Sequence, residues 1–206
     1  MQLIGMLDSP YVRRVAITLN LLKIPFEHRS ISVFSTFDQF KQINPLVKAP
    51  TLVCDDGTVL MDSNLVIDYL EAAAGKSLWP TALKDRQHAL RVVGLALAAC
   101  EKSVQIVYEH NLRPAEKQHA PWMARVHSQL VAAYAELEAE LVRVPLSANA
   151  EGMSQAGVTA AVAWQFSQML LPPLVGDLIS EAAHPALTAF SAQAETLAAF
   201  KAAPPV

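Results

Sequence analysis

Ser9 stands where a short apolar run gives way to a helical pattern. Pro10 behind it fits the first helical position. A helix start presents N–H groups with no intrahelical acceptor and a partial positive charge. Both favour an anion, a thiolate included. A hydroxyl there can donate a hydrogen bond to that thiolate and lower its pKa. The same two residues also read as a plain helix cap, because Ser is a preferred N-cap.

Two further segments have the same double meaning. Lys48-Ala49-Pro50 immediately precedes the apolar run Thr51-Leu52. A proline at a strand start is allowed in trans and also suits a cis bond. A cis bond would turn the Ala49 N–H and C=O toward an extended peptide ligand, with Lys48 placed to pair with a carboxylate. The alternative is an edge-strand proline beside a solvated lysine. Asp62-Ser63 opens another helix. Acid and hydroxyl residues are usual caps there. The functional alternative is a second helix start that holds a ligand carboxylate through the Ser63 N–H and hydroxyl.

Local signals define the elements that must position these residues. Met1 to Met6 reads as a buried strand. Val12, Val15, Leu19 and Leu22 follow helical spacing, and Lys23-Ile24-Pro25 stops that helix. Phe26 to Ser32 reads as a strand, and Thr36 to Ile43 as a short helix closed by Asn44-Pro45. Asp55-Asp56-Gly57 is a tight-turn signal between strands Pro50 to Cys54 and Val59 to Met61. Asp62 to Ala74 is helical and ends at Gly75. The order β-α-β-α-β-β-α predicts a small α/β domain with helices on both faces of a short sheet. Its first β-α-β is a right-handed parallel unit and its last two strands form an antiparallel hairpin.

Residues 76–84 contain Trp79-Pro80 and read as a linker. From Asp85 onward the pattern is helical and alanine-rich. Helices are predicted near Asp85–Asn111, Pro121–Val144, Ser154–Leu170, Pro173–Ala182 and Pro185–Phe200. The predicted organisation is an α/β domain over 1–75, a linker, and an all-α domain over 85–206.

Composition removes several function classes. Hydrophobic residues make up 52% of the 206 and charged residues 17%, the opposite of a disordered chain. A net charge of −3 offers no bulk attraction to a polyanion, so no nucleic-acid partner is expected. Cys54 and Cys100 are far apart and form no C-x-x-C pair, which argues against a disulfide framework or a cysteine zinc site. A reducing, cytoplasmic setting fits. His110, His119 and His127 lack metal-ligand spacing. Arg13-Arg14 before an apolar run looks like an export signal, but Lys23 and Pro25 end the run and no small-residue cleavage site follows. The longest apolar run elsewhere, Val92 to Cys100, is about half the ~20 residues a membrane helix needs.

With these three segments in this order, the chain resembles the cytosolic glutathione transferase family over essentially its whole length, in a bacterial, serine-type form. Ser9-Pro10-Tyr11-Val12-Arg13 is similar to the family's catalytic segment. Asn44-Pro45-Leu46-Val47-Lys48-Ala49-Pro50-Thr51-Leu52 is similar to its cis-proline loop. Asp62-Ser63-Asn64-Leu65-Val66-Ile67-Asp68-Tyr69-Leu70 is similar to its γ-glutamyl-binding helix start. The resemblance implies a thioredoxin-like α/β N-terminal domain and an all-α C-terminal domain. It implies that Ser9 stabilises the thiolate of the co-substrate glutathione and that Ala49 pairs with the cysteinyl backbone before a cis Pro50. Lys48 would sit by the glycyl end, and Asp62 and Ser63 would hold the γ-glutamyl group. Ser9 stands where other classes carry Cys, which argues against a mixed-disulfide reductase. Position 6 is Met, so the early Tyr of some classes is absent.

An apolar second-substrate pocket is expected between Ser9 and the all-α domain, with Tyr11, Tyr108 and Trp164 as candidates. Core or interface roles for Tyr108 and Trp164 are the alternative. The family implies a metal-free, cytoplasmic homodimer; whether Glu101 reaches a partner's glutathione amine across the dimer is left open by the sequence. The expected activity is conjugation of glutathione to a small hydrophobic electrophile, a detoxification chemistry. Two alternatives stay open: a non-catalytic interaction module, and a glutathione-dependent isomerase, lyase or peroxidase on the same site. One departure from the family stands out. Ser154 is followed three residues later by Gly157 where the family has an acid, so half of a capping box is missing, at a cost of ~1 kcal/mol or less.

Overall fold

The structure is a computed structural model and describes residues 1–205. It divides into two compact units. One comprises Met1–Leu78 together with the C-terminal segment from Thr196, and the other is Trp79–Glu195.

In the first unit, strand β1 (Gln2–Ile4) leads to helix α1 (Pro10–Leu22) and strand β2 (Glu27–Arg29). Helix α2 (Phe37–Ile43), strands β3 (Thr51–Val53) and β4 (Val59–Met61), and helix α3 (Ser63–Ala74) follow. This is the predicted order, with shorter strands. The sheet runs β2-β1-β3-β4, with β1 and β2 parallel and the other pairs antiparallel. Adjacent residues on β1 serve opposite faces. Ile4 joins Phe40 of α2 and Ile31 in one apolar cluster. Leu3, equally buried, points the other way. Helices α1 and α3 pack against each other.

The helix ends follow local chemistry. Lys23 closes α1 in the left-handed region, its N–H donating to the Asn20 and Leu19 carbonyls. Gly75 closes α3 in the same conformation. Gly needs no compensation for a positive φ, whereas Lys23 carries a Cβ penalty that the two hydrogen bonds offset.

The segment from Thr196 belongs with the first unit, although the sequence reading grouped 85–206 together. The predicted helix Pro185–Phe200 breaks in two, α8 (Pro185–Glu195) and α9 (Ala198–Lys201). The physical reason is a set of contacts on α1. Arg13 Nε donates to the Ala203 carbonyl at 2.8 Å, and its guanidinium lies over the Phe200 ring, 5.8 Å from the centroid. Asn20 Nδ2 donates to the Ala199 carbonyl at 3.0 Å.

The second unit contains α4 (Leu83–Leu112), α5 (Ala120–Arg143), α6 (Gln155–Leu170), α7 (Pro172–Val175) and α8. The helix predicted over Pro173–Ala182 is a single turn, stopped by Gly176 at φ 61. Helix α6 is buried on nearly every side and packs against α4 and α8. Its small side chains allow that approach. Tyr134 of α5 donates to the Ala163 carbonyl at 2.8 Å and shares a 2.6 Å hydrogen bond with Ser167, which in turn meets Ser103 at 2.8 Å. Burial raises the Tyr134 hydroxyl well above its ordinary pKa, so it stays a donor. Glu138 caps α8 from outside: its two carboxylate oxygens accept from Ala186 N and Leu187 N, both at 2.8 Å.

The missing half of the capping box at α6 has a steric cause. Ser154 Oγ still accepts from Gly157 N at 3.3 Å. A Cβ on Gly157 would lie 2.7 Å from Met153 Sδ and 3.2 Å from Phe190 Cζ, so a side chain there requires both neighbours to shift.

Candidate functional site

Strand register brings the three singled-out segments together. Ile4 of β1 pairs with Thr51 of β3, and Thr51 pairs with Met61 of β4. These three residues form one row across the sheet. The chain therefore leaves or enters the sheet side by side at Gly5, Pro50 and Asp62. Gly5 confirms the closeness. It sits at φ 138, and a Cβ there would be 2.6 Å from Val12 Cγ2 of α1 and 3.2 Å from the Ala49 Cβ. Glycine is required on both counts, conformation and space.

Ser9 is the N-cap of α1, half-buried, with its Oγ accepting from Val12 N at 3.4 Å. That is long for a hydrogen bond, so the cap holds the hydroxyl weakly. Desolvation raises the neighbouring Asp8 carboxyl above its ordinary pKa, with backbone N–H donation from Ser9 opposing. Tyr11 lies half-buried in the first turn of α1.

The Ala49–Pro50 peptide bond is cis. The loop before it is stapled by Asn44, which is 1% exposed. Asn44 Nδ2 donates to Thr51 Oγ1 at 2.8 Å, and its Oδ1 accepts from Leu46 N at 3.0 Å. Thr51 Oγ1 in turn donates to the Lys48 carbonyl at 2.7 Å. Lys48 is exposed, and its Nζ lies 4.0 Å from Asp62 Oδ2.

Asp62 caps α3, its Oδ1 accepting from Asn64 N at 2.9 Å. Its φ of 72 lies in the left-handed region, a strained place for a residue with a Cβ. Strain of this kind persists where surrounding contacts fix it, and it clusters at binding sites. Ser63 is buried, and its Oγ accepts from Arg14 Nη1 at 3.1 Å. The same Nη1 donates to Asn64 Oδ1 at 2.6 Å.

Ser9, Lys48, Ala49, Pro50, Asp62 and Ser63 thus share one edge of the first unit. Tyr108 and Trp164 stand in the second. Tyr108 is 43% exposed on α4. Trp164 is 3% exposed, edge-on to Tyr134 at 5.3 Å and 5.4 Å from the His184 ring, a core position. Glu101 is exposed on α4 and accepts from Gln105 and Lys102 of its own helix. His127 has its pKa lowered by desolvation and by the charge of His110. Among the described residues, no group of three or more His, Cys, Asp or Glu is arranged to hold a metal ion. Among the same residues, no helix is long and apolar enough to cross a membrane.

Sequence reasoning missed Arg14, Asn44 and Gly5. Asn44 was visible as a helix stop and as the first residue of the cis-proline segment, with no signal for its side-chain partners. Arg14 was visible only beside Arg13 as an export-signal look-alike, because α1 is covered around most of its circumference and a buried arginine there breaks the apolar pattern.

Residues 3–78 match the family model for the glutathione S-transferase N-terminal domain. The uncharacterized GST-like protein YibF of Escherichia coli (strain K12) is 26% identical over 165 residues, 80% of this chain and 81% of that protein. A glutathione transferase family member from Pseudomonas fluorescens Pf-5, solved with bound glutathione, superposes with a TM-score of 0.81 at 28% identity, covering 100% of this chain and 98% of that one. A glutathione S-transferase from Methylobacterium radiotolerans JCM 2831, solved with glutathione sulfonate, gives a TM-score of 0.86 at 25% identity, covering 99% and 94%. The chain is thus similar along its length to members of the glutathione transferase family, and its residues 3–78 match that family's N-terminal domain.

Proposed function

We propose that this protein is a serine-type glutathione transferase that activates the glutathione thiol for attack on a small hydrophobic electrophile. One observation supports the reading: the row Ile4–Thr51–Met61 brings the chain out of the sheet side by side at Gly5, Ala49-Pro50 and Asp62-Ser63, and Ser9 follows Gly5 at the start of α1. The glutathione seen in the Pseudomonas relative supports the choice of ligand.

In this reading the Ser9 hydroxyl leaves its long cap bond and donates to the thiolate at the start of α1, where the helix dipole adds to the stabilisation. The thiol proton goes to solvent. The thiolate then forms the bond to an electrophilic carbon as the leaving group departs or the activated double bond takes up a proton. The Ala49 backbone pairs with the cysteinyl unit. Lys48 meets the glycyl carboxylate, Asp62 the γ-glutamyl amine and Ser63 the γ-glutamyl carboxylate. Tyr11, two residues after Ser9 on α1, is the candidate for electrophile contact in the first unit, and the Trp164 indole is engaged in the core of the second. The working species is a homodimer in the reducing cytoplasm.

Calorimetry with glutathione and S-hexyl-glutathione tests the site and an adjoining apolar pocket together. Both bind in this reading. Ser9→Ala keeps glutathione binding and lowers turnover at neutral pH roughly tenfold to hundredfold, the effect of one charge-assisted hydrogen bond to the thiolate. Binding of neither ligand refutes the proposal, and unchanged turnover removes Ser9 from the chemistry.

A further inference from the structure

Arg14 lies in α1 and is 2% exposed, yet its guanidinium reaches the start of α3. Nη1 donates to Ser63 Oγ at 3.1 Å and to Asn64 Oδ1 at 2.6 Å. A guanidinium has donors and no acceptor. It therefore takes one acceptor lone pair of each partner. The Ser63 hydroxyl has a single proton, which must point away from Arg14. Asn64, with its oxygen turned to Arg14, must aim its NH₂ elsewhere. The protons of both side chains are thereby turned away from Arg14.

The helix start adds to this. Its first-turn N–H groups are donors, and α3 has no acidic residue in its first turn. The Arg14 charge and the helix dipole both make the local potential positive. Outward donors at a helix start beside the Arg14 charge suit an acceptor-only anion, while the neighbouring Asp62 carboxylate is the acceptor left for an ammonium group.

We infer that Arg14 is a positioning residue that makes the Ser63–Asn64 corner selective for the carboxylate of the γ-glutamyl end, with Asn64 as an additional contact. The inference rests on the glutathione reading above. It differs from a packing role, because packing would support every ligand equally.

The test is calorimetry on the full chain with two peptides. One is glutathione. The other is γ-aminobutyryl-cysteinyl-glycine, which lacks only the α-carboxylate of the γ-glutamyl unit. The wild type favours glutathione roughly tenfold to hundredfold, the range of a charge-assisted hydrogen-bond set. Arg14→Lys keeps the charge and loses the fork that serves both partners. In that variant the preference falls toward unity through weaker glutathione binding, with the analogue unaffected. Asn64→Asp, at an exposed position, keeps an acceptor for Arg14 and replaces the outward NH₂ by an oxygen. It loses the preference as well, and it serves if Arg14→Lys fails to fold by thermal unfolding. A preference retained by Asn64→Asp, or by folded Arg14→Lys, overturns the inference while glutathione binding stands. Wild-type protein that binds neither peptide overturns the glutathione reading itself.

Discussion

Asn44 offers the sharpest quantitative test of how the cis-proline loop is held. Asn44→Ala deletes a hydrogen bond to Thr51 Oγ1 at 2.8 Å, one from Leu46 N at 3.0 Å and a long one to Met61 Sδ at 3.7 Å. The backbone bond from Asn44 N to the Phe40 carbonyl is retained, so α2 still closes. Thr51 is fully buried, and its oxygen loses a donor with no water to replace it. That side costs about 1–2 kcal/mol, and the Leu46 amide, beside an exposed residue, adds ~0.5–1 kcal/mol. The sum is about 1.5–3 kcal/mol. At a urea slope of ~2 kcal/mol/M this moves the unfolding midpoint down by about 0.75–1.5 M. The Lys48 carbonyl keeps its bond from Thr51 Oγ1, but the Thr51 rotor is no longer fixed, so under the proposed function glutathione affinity falls in parallel. Thr51→Val removes the shared partner. The double variant therefore costs ~1 kcal/mol less than the sum of the singles. An Asn44→Ala midpoint within ~0.2 M of wild type, or strict additivity with Thr51→Val, would refute the reasoning.

Two other outcomes follow from the helical unit. Glu140 has its pKa lowered chiefly by the hydrogen bond from Arg143, helped by the charges of Arg143, His88 and Arg91. A depressed carboxyl pKa gives stability that is fully present above the unfolded value and is lost as pH falls through the folded value. Urea midpoints should therefore drop below about pH 4.5, and Glu140→Gln should flatten that part of the profile; an unchanged profile would exclude Glu140 as a source. Gly157→Asp restores the acid of the capping box, yet it should lower the urea midpoint. Overpacking against Met153 and Phe190 costs ~1–3 kcal/mol, more than the ~1 kcal/mol a cap returns, and a raised midpoint would show that the space can open.

The sequence by itself determined whatever depends on neighbours along the chain. Ser9-Pro10 and Asp62 mark helix starts because capping is satisfied within three residues. Asp55-Asp56-Gly57 joins β3 and β4 because a tight turn needs only its own residues. The order of elements in the first unit was legible for the same reason, and the resemblance to the family rested on those local segments.

Tertiary structure decided the rest. Periodicity along α1 marks an apolar stripe, but Arg13 and Arg14 are buried as well, because each finds a partner distant in sequence, Ala203 in one case and Ser63 with Asn64 in the other. The terminal segment leaves the helical unit for the same cause. Asn44 gains its role from Thr51 across the loop, and Trp164 goes to the core because Tyr134 and His184 surround it. A buried polar group is stable only where a partner lies within hydrogen-bond distance, and that partner is supplied by the fold and not by the neighbouring residues.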